Sequence, residues 1–173
     1  MTRLKGNPAE KDGATMRDFQ HSLPMALLKA REAAMSRFRP MLREHGLTEQ
    51  QWRTIRTISA YEGIDASELA RRSFLLSPSL TRILQFLERE NIIRRLSDPN
   101  DQRRSVLTLT RKGQQIFSAV AFDSELLYHE IEEDFGLDKL EQLYELLAEF
   151  SKLSREDEAQ VHEADPPANS FVQ

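Results

Sequence analysis

Only one short part of this chain alternates with the period of a strand. IIRRLSDPNDQRRSVLTLT reads as two strands, residues 92–96 and 105–109, joined by a turn rich in Asp, Pro and Asn. Elsewhere the apolar residues recur with the 3.6-residue period of a helix. A single two-stranded ribbon is marginal in water by itself, so it must rest on helices. The expected fold class is mainly α, and the low Gly content with only 3 Tyr leans the same way.

About six helical segments are expected. The first begins in HSLPMALL, where Ser22 can cap and Pro24 falls in the first turn. Leu27 or Leu28, Arg31, Met35, Phe38 and Leu42 share one stripe of it, and Pro40 should kink or loosen it. The second opens at LTEQQW, with Thr48 and Gln51 as a capping box and Leu47 and Trp52 as a hydrophobic staple. A third, short helix starts at Asp65, with Glu68 completing another capping box, and ends near Phe74. The fourth takes Ser77 as cap and Pro78 as its first helical residue. Leu80, Ile83, Leu84 and Leu87 bury one side of it. After the hairpin, helix five carries Ile116, Val120, Leu127, Ile131 and Phe135 until Gly136 stops it. Helix six carries Leu140, Leu143, Leu147, Phe150 and Leu153, a stripe too apolar to leave in water.

Two short helices with capping signals, a tight connection and a basic hairpin form a winged helix-turn-helix with a two-stranded β wing. The fourth helix keeps Ser79, Thr81, Arg82, Gln85, Phe86 and Arg89 off its buried side, and its first acid is Glu88. Leaving acids out of the first turn forgoes a macrodipole stabilisation of about 0.3 to 1 kcal/mol. A bound phosphate at Ser77 and Pro78 would supply the missing charge. Such a helix enters a major groove with its N-terminal side chains at base edges. There Arg82 can pair bidentately with guanine, while Ser79, Thr81 and Gln85 offer shorter-range donors and acceptors. In the wing turn, Asp101 can orient a neighbouring guanidinium, and Arg103 and Arg104 suit a narrow minor groove. An ordinary solvated helix face would carry similar residues; the wing is what favours duplex DNA.

Charge distribution supports that direction despite the net charge of −4. Residues 1–64 hold 11 basic and 7 acidic side chains, residues 65–122 hold 10 and 6, and residues 123–173 hold 3 and 15. The basic two thirds and the acidic remainder suggest a molecule with one end toward phosphates.

Several classes are disfavoured. With no cysteine there is neither a disulfide framework nor a thiolate metal site. His21, His45, His129 and His162 lack ligand spacing, so no metal and no cofactor is expected. The acidic run around His129, EIEEDFG, lacks a nucleophile and reads as solvated surface rather than catalytic machinery. The protein is therefore expected not to be an enzyme. No apolar run is long enough to span a membrane, and the polar start lacks the apolar segment of a secretory signal, so a cytoplasmic location is expected.

The stretch ELARRSFLLSPSLTRILQFLERENIIRRLSDPNDQRRSVLTLTRKG resembles the core of the MarR family (multiple antibiotic resistance regulators), dimeric winged-helix repressors, and the likeness extends over nearly all of residues 20 to 153. LTR before the buried stripe, LERE followed by IIRR, DQRR in the wing and the exit LTLTRKG carry it. ALLKAREAAMSRFRPMLREHGLTEQQWRTIR together with LLSPSLTRIL is similar to the subgroup regulating homoprotocatechuate (hydroxyphenylacetate) degradation. Ser73 and Phe74 depart from the Leu and then Gly common at this turn.

The resemblance implies that helices one, five and six form a homodimer, that helix four reads a pseudo-palindromic operator, and that Arg103 enters the minor groove. It further implies release from DNA by a small aromatic acid. For that acid His21, Arg31, Trp52 and Arg56 are candidates as polar or stacking partners, and Met25, Leu28 and Met35 as apolar lining. Each also has a plain structural reading, since Trp52 already serves as a staple, Arg31 can join an ion pair and His21 precedes a cap. The expected organisation is a disordered tail over residues 1–18, a helical dimerisation region over 19–46 and 111–154, the winged helix-turn-helix over 47–110, and an acidic disordered tail over 155–173. The alternative is a protein-interaction adaptor that turns the same winged helix toward an acidic protein.

Overall fold

A computed structural model of the chain describes residues 18–97 and 105–153. They form two compact units that divide after Pro40. In the first, a 3-10 turn at Phe19–His21 leads into α1 (Leu23–Glu44), which begins directly after Ser22. Lys29 lies over the Phe19 ring, 5.9 Å from its centroid. Glu32 accepts from both terminal nitrogens of Arg39, an ion pair spanning two turns that lowers the Glu32 carboxyl, chiefly through the hydrogen bond itself. The helix runs on through Pro40. Proline withholds one helical hydrogen bond there but does not end the helix.

The second unit starts with the last turn of α1, where Met41 and Leu42 are buried. There follow α2 (Glu49–Ala60), α3 (Ala66–Ser73), α4 (Ser77–Arg89), β1 (Ile93–Ser97), β2 (Ser105–Leu109), α5 (Arg111–Phe135) and α6 (Leu137–Ser151). Local chemistry fixes most starts. At α2 the Thr48 hydroxyl accepts from the Gln51 amide while the Gln51 side chain accepts from the Thr48 amide, both halves of the capping box. At α3 the Asp65 carboxylate accepts from the Glu68 amide at 2.9 Å. Thr110 caps α5 by accepting from Gly113, and its own hydroxyl donates to the Asn91 carbonyl at 2.6 Å. Gly136, at φ +95°, ends α5 and opens α6 without a linker.

Two expectations need correction. The N-cap of α4 is Leu76, in extended backbone, and it makes no side-chain capping bond. Ser77 is already helical and Pro78 is the second helical residue, so the Ser77 hydroxyl is not placed as a cap, and proline presents no amide to be capped. The first strand is shifted by one residue, to Ile93–Ser97. Ile92 instead accepts from the Thr110 amide at 3.0 Å and belongs to the turn leaving α4.

The hairpin is antiparallel, with Ile93 opposite Leu109 and Ser97 opposite Ser105. Ile64 adds an isolated bridge to Leu107, its carbonyl accepting from the Leu107 amide at 2.9 Å. This extra pairing pins the ribbon to the connection between α2 and α3. The core joins Ile55 and Ile58 of α2, Leu69 of α3, Leu80, Ile83, Leu84 and Leu87 of α4, Ile93 and Leu107 of the ribbon and Val120 of α5. The expected buried stripe of α4 is thus the observed one, and the six helices with a two-stranded wing match the expected fold class. In α6 only Leu140 is buried, while Leu143, Leu147 and Phe150 are exposed; Leu153, expected on the same helix, lies just past its end and is exposed too.

Candidate nucleic-acid interface

The backbone between α3 and α4 sets the outer face of the second helix. Phe74 closes α3 in the left-handed region at φ 51°, ψ 47°, and the amides of Phe74 and Leu75 bond back to Arg71 and Ala70. Arg53 of α2 donates to the Ser73 carbonyl at 3.2 Å, and the buried Ser73 hydroxyl donates to Leu69 at 2.5 Å. These bonds hold the turn tight, so α4 leaves it in a fixed direction with its apolar stripe inward.

On the solvent side Thr81, Arg82 and Gln85 are exposed and Ser79 is half-buried. The Thr81 hydroxyl donates to the Ser77 carbonyl at 2.9 Å. What remains for an outside partner is therefore its acceptor capacity. Arg82 has no ion pair or hydrogen bond among the described residues and projects five donors into solvent. Arg89 leans over the Phe86 ring at 5.4 Å. Glu88, the first acid of α4, is engaged by Arg95 of β1 at 2.5 Å. The two binding elements expected from the sequence, α4 and the ribbon, are brought together on this side. Asp101, Arg103 and Arg104 lie outside the described residues, so the wing tip is not placed.

One cluster beside α4 was not singled out in the sequence as an arginine site. Glu68 accepts from Arg71 at 2.6 and 2.8 Å and from Arg72 at 2.5 Å. Hydrogen bonding by Arg71 is the largest influence; together with the smaller one from Arg72 it outweighs the opposing effect of burial and holds the carboxyl at about 2. Arg72 also covers the Tyr61 ring, 4.0 Å from its centroid. The E-x-x-R-R spacing, with partners three and four residues apart on one helix face, was the available signal.

The residues proposed for an aromatic acid fall in both units. On α1 and the turn before it, Met25 and Met35 are half-buried, Leu28 and Arg31 are exposed, and exposed His21 stands 3.7 Å from Asp18. On α2, Trp52 and Arg56 are one turn apart, Trp52 half-buried and Arg56 exposed. Trp52 stacks on Phe117 of α5, with centroids 5.6 Å apart and planes 28° apart. The Tyr144 phenol of α6 is pushed up by burial first, then by Tyr128 and Glu132, with Arg56 acting in the opposite direction. Phe117 and Tyr144 were not apparent from sequence, because their pairing with Trp52 and Arg56 joins segments about sixty to ninety residues apart. Exposed His129 pairs with Glu132 at 3.2 Å. Among the described residues no three His, Cys, Asp or Glu side chains gather as for a metal ion, and no helix is long and apolar enough to cross a membrane.

Two short packed helices, the second offering an acid-free face to solvent, followed by a β ribbon pinned to the same body, define a winged helix-turn-helix DNA-binding protein. The MarR family model matches residues 47–105. The homoprotocatechuate degradative operon repressor of Escherichia coli is 46% identical over 132 residues, which cover 76% of this chain and 89% of that protein. Among solved structures, the transcriptional regulator PA4135 is similar with 50% identity and a TM-score of 0.73, covering 78% of this chain and 98% of that one. NadR in complex with 4-hydroxyphenylacetate is similar with 38% identity and a TM-score of 0.70, covering 82% of this chain and 100% of that one. The chain belongs to the MarR family, and it is a transcriptional regulator of that type.

Proposed function

We propose that the protein is a homodimeric repressor of an operon for aromatic-acid catabolism, released from its operator by a hydroxylated phenylacetate. The observation that carries DNA reading is the α4 face itself. Arg82 stands unpaired among the described residues, between Thr81 and Gln85, on a helix whose first acid is already neutralised by Arg95. In this reading Ser77, Pro78, Ser79, Thr81, Arg82 and Gln85 meet the major groove, and Asp101, Arg103 and Arg104 carry the wing to the adjacent minor groove.

Dimerisation through α1, α5 and α6 is supported by the apolar residues left in water. Phe122 and Leu126 on α5 and Leu143, Leu146, Leu147 and Phe150 on α6 are all exposed. An uncovered surface of this kind marks an association site. Twofold symmetry then spaces the two copies of α4 by about 10 to 10.5 base pairs. The dimerisation region comprises residues 19–46 and 111–154, and the DNA-reading region residues 47–110.

The effector class is supported by the identity to the E. coli repressor and to the structure of NadR holding 4-hydroxyphenylacetate. Arg31 and Arg56 supply cations for a carboxylate, His21 a partner for a phenol, Trp52 a ring to stack on, and Met25, Leu28 and Met35 apolar walls. The acid acts by preferring a dimer geometry in which the two α4 helices do not fit the groove spacing, so its leverage equals its difference in affinity for the two states. Selection of bound fragments from random duplex DNA at stated salt, followed by gel-shift titration with 4-hydroxyphenylacetate and 3,4-dihydroxyphenylacetate, tests both parts. A single enriched pseudo-palindrome whose midpoint rises with the acid is expected. No enrichment removes the operator reading; enrichment with an unmoved midpoint removes only the effector.

A further inference from the structure

Phe74 is 88% exposed and Leu76 is 60% exposed, at the turn leading into α4. Phe74 also takes a left-handed backbone, where a glycine is accommodated with least strain. A bulky residue held there is an outlier in search of a reason. Packing does not supply one, since so exposed a ring covers almost nothing of its own protein. Solubility argues against an exposed phenylalanine. The residue combines backbone strain with unburied apolar surface, and both would be relieved by glycine.

Location supplies the reason. Consecutive Cα atoms are about 3.8 Å apart, so the Phe74 Cα lies within about 11 Å of the Ser77 Cα, against a major groove about 12 Å wide. If α4 enters the groove N-terminus first, the turn cannot avoid the groove wall. Between Glu68 and Glu88 the chain has no acid. Along the chain the apolar tip is therefore flanked by cations, Arg71 and Arg72 before it, both paired with Glu68, and Arg82 after it. An apolar tip so flanked fits the edge of a duplex, where phosphates surround thymine methyl groups and deoxyribose carbons, better than it fits an apolar protein surface.

The geometry points to Phe74 as a DNA-contacting residue. Its ring packs on the apolar edge of a nucleotide, a thymine 5-methyl or a deoxyribose, flanking the bases read by α4. This rests on the operator reading given under Proposed function. Leu76, exposed two residues on, widens the same apolar surface.

The test uses the full-length protein and the fragment recovered by selection, comparing wild type with Phe74→Gly, Phe74→Asn and Phe74→Leu. Gly and Asn both tolerate the left-handed backbone, so these two variants are expected to melt no lower than wild type. They are nevertheless expected to bind the operator about tenfold more weakly, as when one base or sugar interaction is removed. Phe74→Leu, which keeps an apolar side chain, is expected to retain most of the affinity. Replacing each thymine of the half-site in turn by deoxyuridine separates the two nucleotide partners. If a methyl is touched, one replacement weakens wild type and leaves Phe74→Gly unchanged; if deoxyribose is touched, the weakening by glycine persists with every uracil. Operator affinity and base preference unchanged in Phe74→Gly overturn the role of Phe74 and leave the operator reading standing. Wild type that enriches no duplex overturns both.

Discussion

The Nε of Arg95 on β1 donates to the Glu88 carboxylate on α4 at 2.5 Å, joining that helix to the β ribbon. The pair is partly exposed, and such pairs contribute about 0 to 1 kcal/mol to stability. Its larger consequence is electrostatic, because it keeps one cation occupied and holds one element against the other. Glu88→Gln is expected to leave folding nearly unchanged and to free Arg95 for phosphate. On non-specific duplex the slope of log affinity against log salt should then steepen by about 0.9 for each protomer in contact, the value of one added phosphate neutralised, and so by about 1.8 for a dimer engaged through both ribbons. The ratio of specific to non-specific affinity should fall as the ribbon loses its tie to α4. An unchanged slope and ratio would show that the pair does not couple the elements.

Arg82 is the sharpest test of base reading. It has no partner among the described residues whose removal would disturb the fold, so Arg82→Ala is expected to melt like wild type. Removing a bidentate guanine pairing from each half-site should cost about 1 to 3 kcal/mol and relax preference at one base-pair position. Repeating the fragment selection with the variant reads both effects together. If the recovered sequence keeps full preference at every position, Arg82 does not read a base.

Much of the fold was legible because its signals are local. The capping box at Thr48 and Gln51 is a pattern over four residues, and the buried stripe from Leu80 to Leu87 follows directly from helical periodicity. The start of α4 differs by one residue from its expected place because Ser-Pro admits two registers, and backbone angles rather than residue preference decide between them. Pairings between distant segments were not legible: the Ile64 bridge to Leu107, the Trp52 stack on Phe117, and the 2.6 Å approach of His45 to Asp123 have no signal in spacing. In α6 the apolar pattern was clear, yet pattern alone says that a face must be covered and not by what. The left-handed backbone of Phe74 was hidden for the opposite reason, since residue preference argues against it.

Glu68 gives the protein a defined response to acid. Its carboxyl sits at about 2 rather than near 4.5, mainly through hydrogen bonding from Arg71. A carboxylate whose folded value is depressed stabilises the fold above its unfolded value, and that contribution is lost as pH falls through the unfolded and then the folded value. The loss therefore begins below about 4.5 and runs toward 2. Melting temperatures of wild type and Glu68→Gln should differ most at neutral pH, and wild type should fall more steeply between about pH 5 and 3. Parallel curves over that interval would show that the pairing with Arg71 and Arg72 adds nothing to the folded state.

Gly113 sits in the first turn of α5 against the chain leaving α4. A methyl group placed on it would stand 2.1 Å from the Ile92 carbonyl oxygen and 3.1 Å from its carbon. The obstacle is backbone, fixed in turn by the Thr110 amide bonded to that carbonyl at 3.0 Å and by the Thr110 hydroxyl on Asn91. At an open helical position, Gly→Ala would stabilise by up to about 1 kcal/mol through helix propensity. Here the overlap dominates, because relieving it means moving α5 away from the turn that leaves α4, and overpacking of this kind costs about 1 to 3 kcal/mol or more. Gly113→Ala is therefore expected to lower the urea midpoint, and Gly113→Val to lower it further. Since α5 leads from the wing toward the proposed dimer surface, the Ala variant should also weaken operator binding at protein concentrations where it remains folded. A midpoint equal to or above that of wild type would mean that the two segments do not approach as closely in solution as Gly113 and Ile92 do here.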